Sequence, residues 1–417
     1  MSFITGLTRM WLTRTAKTFT FKNGYDQILP YAECENLGLY VHIPFCKSIC
    51  NFCPYCKVRY SAELCDRYID SLIQEIHIVG SQHAEHRKAT SLYFGGGTPA
   101  LAANRIKEIV NALSEHFIIT EGIGLELHPD NVNVETLQML KDAGVTKISI
   151  GIQSFCDKYQ KILGRKKIDT AEMMSALSAV SFETVSMDFI FALPGQTYDD
   201  LKSDIDTAFL LGANHVAIYP FIDFTFTESP VTAMPKKDKR ELLDAITQYC
   251  LGKGYSRNSI WTFSSGTDAN YSSMTRDNFL GFGCSATSLF KEQFKINTFD
   301  VDSYCERIRS GNLATSLTIR FTKRQRMVYW LFWTAYSTRV TAEDFEKFFG
   351  VSLKKMYGFE LWVAKQLGLV KEHNGTYEMT LKGAFYYHYY ENFYTLSYID
   401  KMWGIMRKEA FPEQIEL

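Results

Sequence analysis

Residues 37–56 read LGLYVHIPFCKSICNFCPYC, an apolar run that leads directly into a cysteine-rich segment. The run Leu37–Ile43 predicts a buried strand. Cys46, Cys50 and Cys53 follow at spacings of four and three residues. Their thiolates fit on one compact loop, where they can bind three corners of an iron–sulfur cubane. The stretch therefore predicts a strand with a metal cluster at its carboxyl end.

The number of cysteine ligands decides what such a cluster can do. An ordinary [4Fe-4S] cluster takes four cysteines, whereas three leave one iron open, as a catalytic metal needs. The open iron could chelate the amino and carboxylate groups of S-adenosylmethionine (SAM), whose sulfonium is then split by electron transfer. Two alternatives stay open: a closed cluster that also uses Cys56, and a zinc site. Zinc commonly takes two separated ligand pairs, and no second Cys/His pair follows downstream.

Composition narrows the class of protein further. A chain of 417 residues with 46 % apolar residues predicts one large α/β domain of about 250 residues with smaller attachments. A formal net charge of −1 argues against a nucleic-acid partner. Ten cysteines in so long a chain indicate a reducing, cytoplasmic location. The six outside the motif are predicted as small buried residues: Cys34, Cys65, Cys156, Cys250, Cys284 and Cys305.

The sequence predicts no membrane span, because no apolar run reaches 18 residues. Residues 1–25 include several basic residues and no acidic residue. This composition suits either a transit peptide or an amphipathic helix packed on a larger domain. The amphipathic helix is the simpler interpretation.

Short strand-like runs alternate with helical segments after residue 37. The predicted strands are Leu37–Ile43, Ser91–Gly95, Gly124–His128, Lys147–Ile152, Val185–Phe191 and His215–Pro220. The predicted helices between them are Ala62–Val79, Asn104–His116, Asn133–Asp142, Thr170–Val180 and Thr197–Leu211. This alternation predicts an α/β fold, a partial (β/α)6 barrel of TIM type, with its site at the carboxyl ends of the strands.

The pattern changes near residue 295, which suggests three parts: an N-terminal extension (1–37), a core (38–295) and a C-terminal module (296–417). Predicted helices at Thr322–Tyr336, Ala342–Phe349 and Lys354–Leu367, then a hairpin at Leu369–Thr380, indicate a small winged-helix-like α+β module. The tail beyond is rich in Tyr and Phe. Such spacing usually indicates core packing, and the alternative is a lid over a flat conjugated substrate.

The cysteine motif, preceded by Tyr40-Val-His-Ile-Pro-Phe, resembles the radical SAM superfamily, in the branch that contains oxygen-independent coproporphyrinogen III oxidase (HemN/HemW-like proteins). The similarity runs from Tyr40 to Phe290 and continues more weakly in the C-terminal module. Further motifs occur in the expected order: Gly95-Gly96-Gly97-Thr98-Pro99, Glu126 in Leu-Glu-Leu-His-Pro, Gly151-Ile-Gln153, Gly164-Arg165, Asp188 in Met-Asp-Phe-Ile-Phe, and Leu280-Gly-Phe-Gly-Cys-Ser-Ala.

The resemblance implies the cofactors and the residues that bind them. It implies a [4Fe-4S] cluster on Cys46, Cys50 and Cys53, one or two SAM molecules, and an electron donor such as flavodoxin or ferredoxin. The expected cofactor-binding residues are Tyr40, Phe52, Gly96, Gly97, Thr98, Glu126, Gln153, Arg165 and Asp188. The glycines of the Gly95–Pro99 segment are expected to let the backbone approach the methionyl end of SAM.

The chain departs from two members of this branch. The oxidase resembles it but has a fourth cysteine two residues after the third, whereas Cys56 stands three residues after Cys53. Haem chaperones carry a His-Asn-x-x-Tyr-Trp segment where this chain reads Asp268-Ala-Asn-Tyr-Ser-Ser-Met274. Related class C methyltransferases use two SAM molecules. The expected function is therefore radical methylation or oxidation of a planar conjugated substrate, a tetrapyrrole or an aromatic ring such as a quinone. A non-catalytic haem-binding role is the alternative.

Overall fold

A computed structural model describes residues 3–24, 28–229, 232–266 and 277–417, with the side chains of residues 3–6 left out. In chain order its strands are β1 (Thr20–Lys22), β2 (Leu37–Ile43), β3 (Phe45–Cys46), β4 (Val58–Arg59), β5 (Arg87–Ala89), β6 (Leu92–Gly96), β7 (Phe117–Ile119), β8 (Ile123–Leu127), β9 (Lys147–Gln153), β10 (Thr184–Phe191), β11 (His215–Pro220), β12 (Ser256–Arg257), β13 (Thr262–Ser264), β14 (Asn278–Phe282), β15 (Thr287–Phe290), β16 (Gln293–Asn297), β17 (Thr315–Arg320), β18 (Arg339–Thr341), β19 (Val370–His373), β20 (Thr376–Met379) and β21 (Gln414–Glu416).

The helices connect these strands and cover the sheet. They are α1 (Phe3–Thr13), α2 (Ala62–Gly80), α3 (Ala103–Ser114), α4 (Val134–Asp142), α5 (Asp157–Ile162), α6 (Thr170–Ala179), α7 (Tyr198–Leu210), α8 (Lys236–Gly252), α9 (Val301–Arg309), α10 (Lys323–Tyr336), α11 (Ala342–Phe349), α12 (Leu353–Gln366), α13 (Leu381–Tyr394) and α14 (Asp400–Met406). No helix of the described residues is long and apolar enough to cross a membrane.

Six parallel strands form the centre of the molecule, in the order β2-β6-β8-β9-β10-β11. Apolar residues on both faces of β2 and β10 are buried, as expected when helices cover a parallel sheet. Side-chain caps begin the intervening helices: Ser61 accepts from the Leu64 amide, and Thr197 forms a capping box with Asp200. The predicted α/β fold is confirmed. The barrel is partial, because β14 flanks β2 and β13 flanks β11.

The main sheet extends well beyond the six predicted strands. β14 lies parallel to β2, and β15, β16 and β17 continue as an antiparallel meander. β1 from the N-terminal segment and β21 from the C-terminus close this edge. The boundary predicted near residue 295 thus falls inside β16. The division of the chain into three domains stays a prediction.

The C-terminal segment contains its own small core. Its buried members are Met327, Trp330, Phe345, Phe349, Leu353 and Tyr357. The predicted hairpin is present as β19 and β20, and β18 pairs with β20. Asn374 and Gly375 turn it with φ of 49° and 78°, the left-handed pair that a tight hairpin requires. The winged-helix assignment itself stays a prediction.

The aromatic tail packs on the barrel instead of on this small core. α13 and α14 are joined by one π-helical turn, Thr395–Ile399. Tyr398, Met402 and Met406 belong to the main hydrophobic core, together with Ile415 and Leu417 from the end of the chain. The last helices therefore pack on the same hydrophobic core as β2 and Cys56 of the cysteine loop.

Candidate active site at the carboxyl ends of the parallel strands

The cysteine loop leaves the carboxyl end of β2 and is held by the segment after β6. The amides of Gly97 and Thr98 donate to the carbonyls of Ile43 and Phe45 at 2.9 and 2.8 Å. A Cβ on Gly97 would lie 2.6 Å from the Phe45 carbonyl oxygen, and one on Gly96 would lie 2.7 Å from that of Ile43. The room left by these two glycines is thus taken by the backbone that leads into Cys46.

The three motif cysteines are free, half-buried thiols on this loop. Their Sγ atoms do not all lie within 4.8 Å of one another. One zinc ion, with Zn–S bonds of about 2.3 Å, would bring them to about 3.8 Å. The three sulfurs are therefore more widely spaced than the ligands of one zinc ion would be. Burial and the neighbouring Cys53 raise the pKa of Cys46 to about 11.

Cys56 contacts groups outside the cysteine loop. It is buried, and its Sγ lies 3.2 Å from the carbonyl oxygen of Phe299. It also lies with His42 and Cys284 in a set of ligand atoms within 4.8 Å of one another. This placement favours a cluster with three cysteine ligands over a closed four-cysteine cluster.

Arg165 links the loop to the middle of the sheet. Its Nε donates to Cys50 Sγ at 3.4 Å, its guanidinium lies over the Phe52 ring, and it also donates to the Gly151 carbonyl. Gln153 ends β9 with a φ of 69°, at a register shift between β9 and β10. Such a bulge re-aims a side chain at the rim of a sheet. The Gln153 amide therefore lies beside Gly151, next to Arg165.

Two carboxyl groups face the site from β8 and β10. Glu126 accepts from the Tyr93 hydroxyl at 3.1 Å and from the Gly96 amide at 3.2 Å. Burial raises its pKa to about 7, and the charge of Asp188 adds to this effect. Asp188 accepts from the hydroxyls of Ser149 and Ser186 at 2.8 and 3.2 Å, and burial raises its pKa to about 6.

Tyr40 and Thr98 complete the predicted set. The Tyr40 hydroxyl and His42 Nδ1 are 3.0 Å apart, and His42 Nε2 lies 3.0 Å from the Cys56 carbonyl oxygen. Because a carbonyl can only accept, Nε2 carries the proton and Nδ1 accepts from Tyr40. Thr98 is buried, and its hydroxyl donates to Cys46 Sγ at 3.9 Å. The predicted site residues thus lie on neighbouring parallel strands or on the loops that follow them. Tyr40 and Asp188 stand inside their strands, and the others stand at or near the carboxyl ends.

Sequence reasoning missed the groups that hold the carboxylates, namely Tyr93, Ser149 and Ser186. It also missed His128, whose Nδ1 accepts from the Asp130 amide. The Nε2–H of His128 is buried and finds no hydrogen-bond partner within the described ranges. Burial, and then the charge of Arg165, lower its pKa to about 4. Its position directly after β8, in the same motif as Glu126, was the available signal.

The C-terminal helices contact the cysteine loop directly. Trp403 on α14 lies with its ring centroid 6.0 Å from that of Tyr55, and Arg407 donates to the Pro54 carbonyl. Asp400 accepts from the Thr225 amide and hydroxyl at 2.8 and 2.7 Å, beyond the end of β11. His388 on α13 contacts Phe191 and Trp261. The tail therefore covers part of the strand ends where the cysteines and carboxylates converge.

Comparisons with known proteins agree with this arrangement. A family model described as the radical SAM superfamily matches residues 40–208. Heme chaperone HemW of Lactococcus lactis is 28 % identical over 360 residues, covering 82 % of this chain and 93 % of the relative. Oxygen-independent coproporphyrinogen III oxidase of Pseudomonas aeruginosa is 25 % identical over 381 residues, covering 81 % of each.

A solved structure supports the fold across almost the whole chain. Coproporphyrinogen III oxidase (HemN) from Escherichia coli superposes with a TM-score of 0.76 at 21 % identity, over 92 % of this chain and 96 % of that one. At that identity the likeness concerns the fold alone. The resemblance drawn from the cysteine motif is confirmed by the family model over residues 40–208, and so are the cofactors that it implied, a [4Fe-4S] cluster and SAM.

Proposed function

We propose, from the radical SAM domain matched at residues 40–208, that this chain is an enzyme acting on a planar conjugated ring by radical methylation or oxidation. The observation that carries the proposal is the convergence of three free thiols and two buried carboxyls at one end of a parallel sheet. The cluster is assigned to Cys46, Cys50 and Cys53, and Cys56 is left out of it.

The carboxyl groups bind the cationic parts of SAM. The hydrogen-bond partners of Glu126 and Asp188 are hydroxyls and one amide, all neutral. Because both carboxyls are buried without a cationic partner, their pKa values are raised and their protonated forms are favoured. A sulfonium or ammonium group beside them would favour the charged forms. When bound, the cluster and SAM supply a 5′-deoxyadenosyl radical, with the electron coming from a flavodoxin- or ferredoxin-type donor.

Other residues position the cofactors and exclude water. Arg165 orients the Cys50 thiol and the Phe52 ring, and Gly96 presents its amide to Glu126. The His128 Nε2–H is a free donor next to Arg165, available to the carboxylate of SAM. Trp403 covers the cysteine loop through Tyr55. A primary radical needs such a water-free site.

The aromatic surroundings and the relatives support a flat substrate. Trp261, whose carbonyl accepts from the Ile218 amide of β11, contacts Tyr219, Tyr336 and His388. Stacking of aromatic faces contributes about 0.5–1.5 kcal/mol per pair beyond area burial. The names of the relatives point to haem and coproporphyrinogen III. A tetrapyrrole is therefore the substrate class that we favour, with a quinone as the second choice. Methylation would require a second SAM molecule.

A non-catalytic haem-binding role is the second candidate. It is favoured by the similarity to a protein named as a heme chaperone, which extends over 93 % of that relative. The position of the chaperones' His-Asn-x-x-Tyr-Trp segment, residues 268–274, lies outside the described residues.

Anaerobic incubation of the cluster-loaded protein with SAM and dithionite separates the two functions. Coproporphyrinogen III, haem and a quinone would be added in turn, and each ring compound would be analysed by mass spectrometry. We expect one of them to gain a methyl group or lose hydrogen, together with a matching amount of a SAM-derived nucleoside. Binding of haem with every ring compound recovered unchanged would support the non-catalytic role and contradict the proposal.

A further inference from the structure

A second group of metal-type ligands lies behind the cysteine loop. His42, Cys56 and Cys284 offer one imidazole nitrogen and two sulfurs, all within 4.8 Å of one another. The three residues are 3 %, 5 % and 0 % exposed. They come from separate segments: β2, the end of the cysteine loop, and the turn after β14. The proposed radical chemistry uses none of these sulfurs.

The arrangement differs from ordinary core packing of cysteines. Cys250 is equally buried, and the charges that act on its thiol come from Asp206 and Arg257. Cys56, in contrast, faces Cys284, His42 and the carbonyl oxygen of Phe299 at 3.2 Å. Cys284 and His42 hold the pKa of the Cys56 thiol well below its ordinary value. The Cys56 thiol donates to the Phe299 carbonyl oxygen, and a cation bound at this sulfur would take the place of the thiol proton.

Charge balance selects the kind of cation. Once both thiols have released their protons, two thiolates and a neutral imidazole carry two negative charges. A divalent cation neutralises these two charges. A neutral site is the one that a fully buried position tolerates. Two sulfurs and one nitrogen are ligands that zinc prefers, at about 2.3 and 2.0–2.1 Å. A tetrahedral ion needs a fourth ligand beside these three, and the Phe299 carbonyl oxygen, 3.2 Å from Cys56 Sγ, is the candidate.

The imidazole is already oriented for this role. Its Nε2 lies 3.0 Å from the Cys56 carbonyl oxygen, and its Nδ1 lies 3.0 Å from the Tyr40 hydroxyl. Binding a cation through Nε2 moves the ring proton to Nδ1, which then donates to Tyr40. A hydrogen-bond partner on the other ring nitrogen fixes the tautomer of most metal-binding histidines.

We infer that His42, Cys56 and Cys284 form a structural site for one divalent cation of the zinc type, separate from the iron–sulfur cluster. The cation would fasten the end of the cysteine loop to β2 and to the turn that follows β14. The site is independent of the proposed reaction, because a chain that only handles haem would contain it as well.

Metal analysis of the anaerobically prepared holoprotein tests this inference. The full chain would be incubated with Zn²⁺, freed of excess metal by gel filtration, and analysed for zinc and iron. We expect close to one equivalent of zinc beside the cluster iron. Cys284→Ala should lose the zinc and keep the iron, and Cys250→Ala, an equally buried cysteine, should keep both. Zinc retained by Cys284→Ala, or none bound by the unaltered protein, would overturn the site.

A second measurement avoids relying on one variant that could fold poorly. Co²⁺ replaces zinc at thiolate sites and gives thiolate-to-cobalt absorption, so the full chain with Cys46, Cys50 and Cys53 changed to Ser can be titrated with Co²⁺ alone. That absorption should saturate at one equivalent and disappear when Cys56→Ser is added. Absence of the absorption in a folded chain, or a disulfide between Cys56 and Cys284 in peptide maps of the anaerobic protein, would contradict the inference.

Discussion

Glu126 and Asp188 are the residues whose ionisation should control SAM binding. Their pKa values of about 7 and about 6 lie above the ordinary values near 4. Above these pKa values both side chains are charged and attract the cationic groups of SAM. As the pH falls through this range they become neutral and the attraction is lost. Bound SAM should in turn lower both pKa values.

We therefore expect SAM affinity to fall as the pH is lowered from about 8 to about 6. Glu126→Gln should bind SAM about ten- to a hundredfold more weakly at the higher pH, because a charge-assisted hydrogen bond contributes about 1.5–3 kcal/mol. It should also show a flatter pH profile. Equilibrium binding to the cluster-loaded protein measures both effects.

Glu121→Gln is the matched control, since Glu121 is exposed and lies just before β8, at the amino end of the strand that ends near Glu126. It should behave like the unaltered chain. If Glu126→Gln keeps the full pH dependence, another group controls the binding of SAM.

At the scale of single elements, the helix α2 fastens the meander to the barrel. Glu75 on α2 accepts from the Gly283 amide at 2.7 Å, the Asn297 side-chain amide at 3.0 Å and the Tyr304 hydroxyl at 2.7 Å. It is fully buried, and burial raises its pKa even though Lys295 opposes the effect. One carboxylate thus satisfies donors from β16, from α9 and from the turn after β14.

Glu75→Gln should lower the free energy of unfolding by about 1–3 kcal/mol, because an amide NH₂ would then face a donor in a buried site. Thermal unfolding of the full chain measures the change. Glu63→Gln, in the exposed first turn of the same helix, should leave the midpoint where it is. Equal stability of the two variants would show that Glu75 is not a structural anchor.

The elements were predictable to different degrees. The six parallel strands and their helices follow from short apolar runs separated by amphipathic segments, and the structure places most of their ends within two residues. The meander β14–β17 was missed, because β14, β15 and β16 lie close together with no helix between them, and only the short helix α9 separates β16 from β17. β1 and β21 hold three residues each and pair across almost the whole chain, so no local pattern indicates them.

The site residues also differ in how far a local sequence pattern could indicate them. Cys46, Glu126 and Asp188 could be proposed from the sequence because each stands in a recognisable motif on or directly after a predicted strand. Ser149 was missed, since it belongs to the neighbouring strand β9 and only the register brings its hydroxyl to Asp188. Ser186 was missed although it stands two residues before Asp188 on β10 itself. Cys284 was predicted as a small core residue, because nothing in its local sequence shows that it faces Cys56.

At the scale of the whole molecule, the C-terminal helices return to the cysteine loop. We predict that they cover the substrate and are not needed to build the cluster. A chain that ends at residue 295 would cut through β16, so point variants test this better. Trp403→Ala removes the contact with Tyr55 while the sheet stays intact.

Trp403→Ala should keep its iron and its slow SAM cleavage without substrate. Substrate-dependent product should fall about ten- to a hundredfold, because small misplacements in an active site have effects of this size. Chromatography of the nucleoside and ring products measures the ratio between them. Trp362→Ala, which changes a largely exposed Trp on α12, is the control. Normal substrate turnover by Trp403→Ala would argue that the tail only packs the core.

The central claim is that a cluster on three cysteines, with Cys56 outside it, activates SAM. Its most direct measurement is the release of 5′-deoxyadenosine from SAM by the anaerobic, dithionite-reduced full chain, with iron counted in the same samples. We predict release by the unaltered protein and by Cys56→Ala, each with a full complement of cluster iron. Cys50→Ala should lose both the iron and the nucleoside. No nucleoside from an iron-loaded chain, or loss of iron in Cys56→Ala comparable to that in Cys50→Ala, would contradict the account.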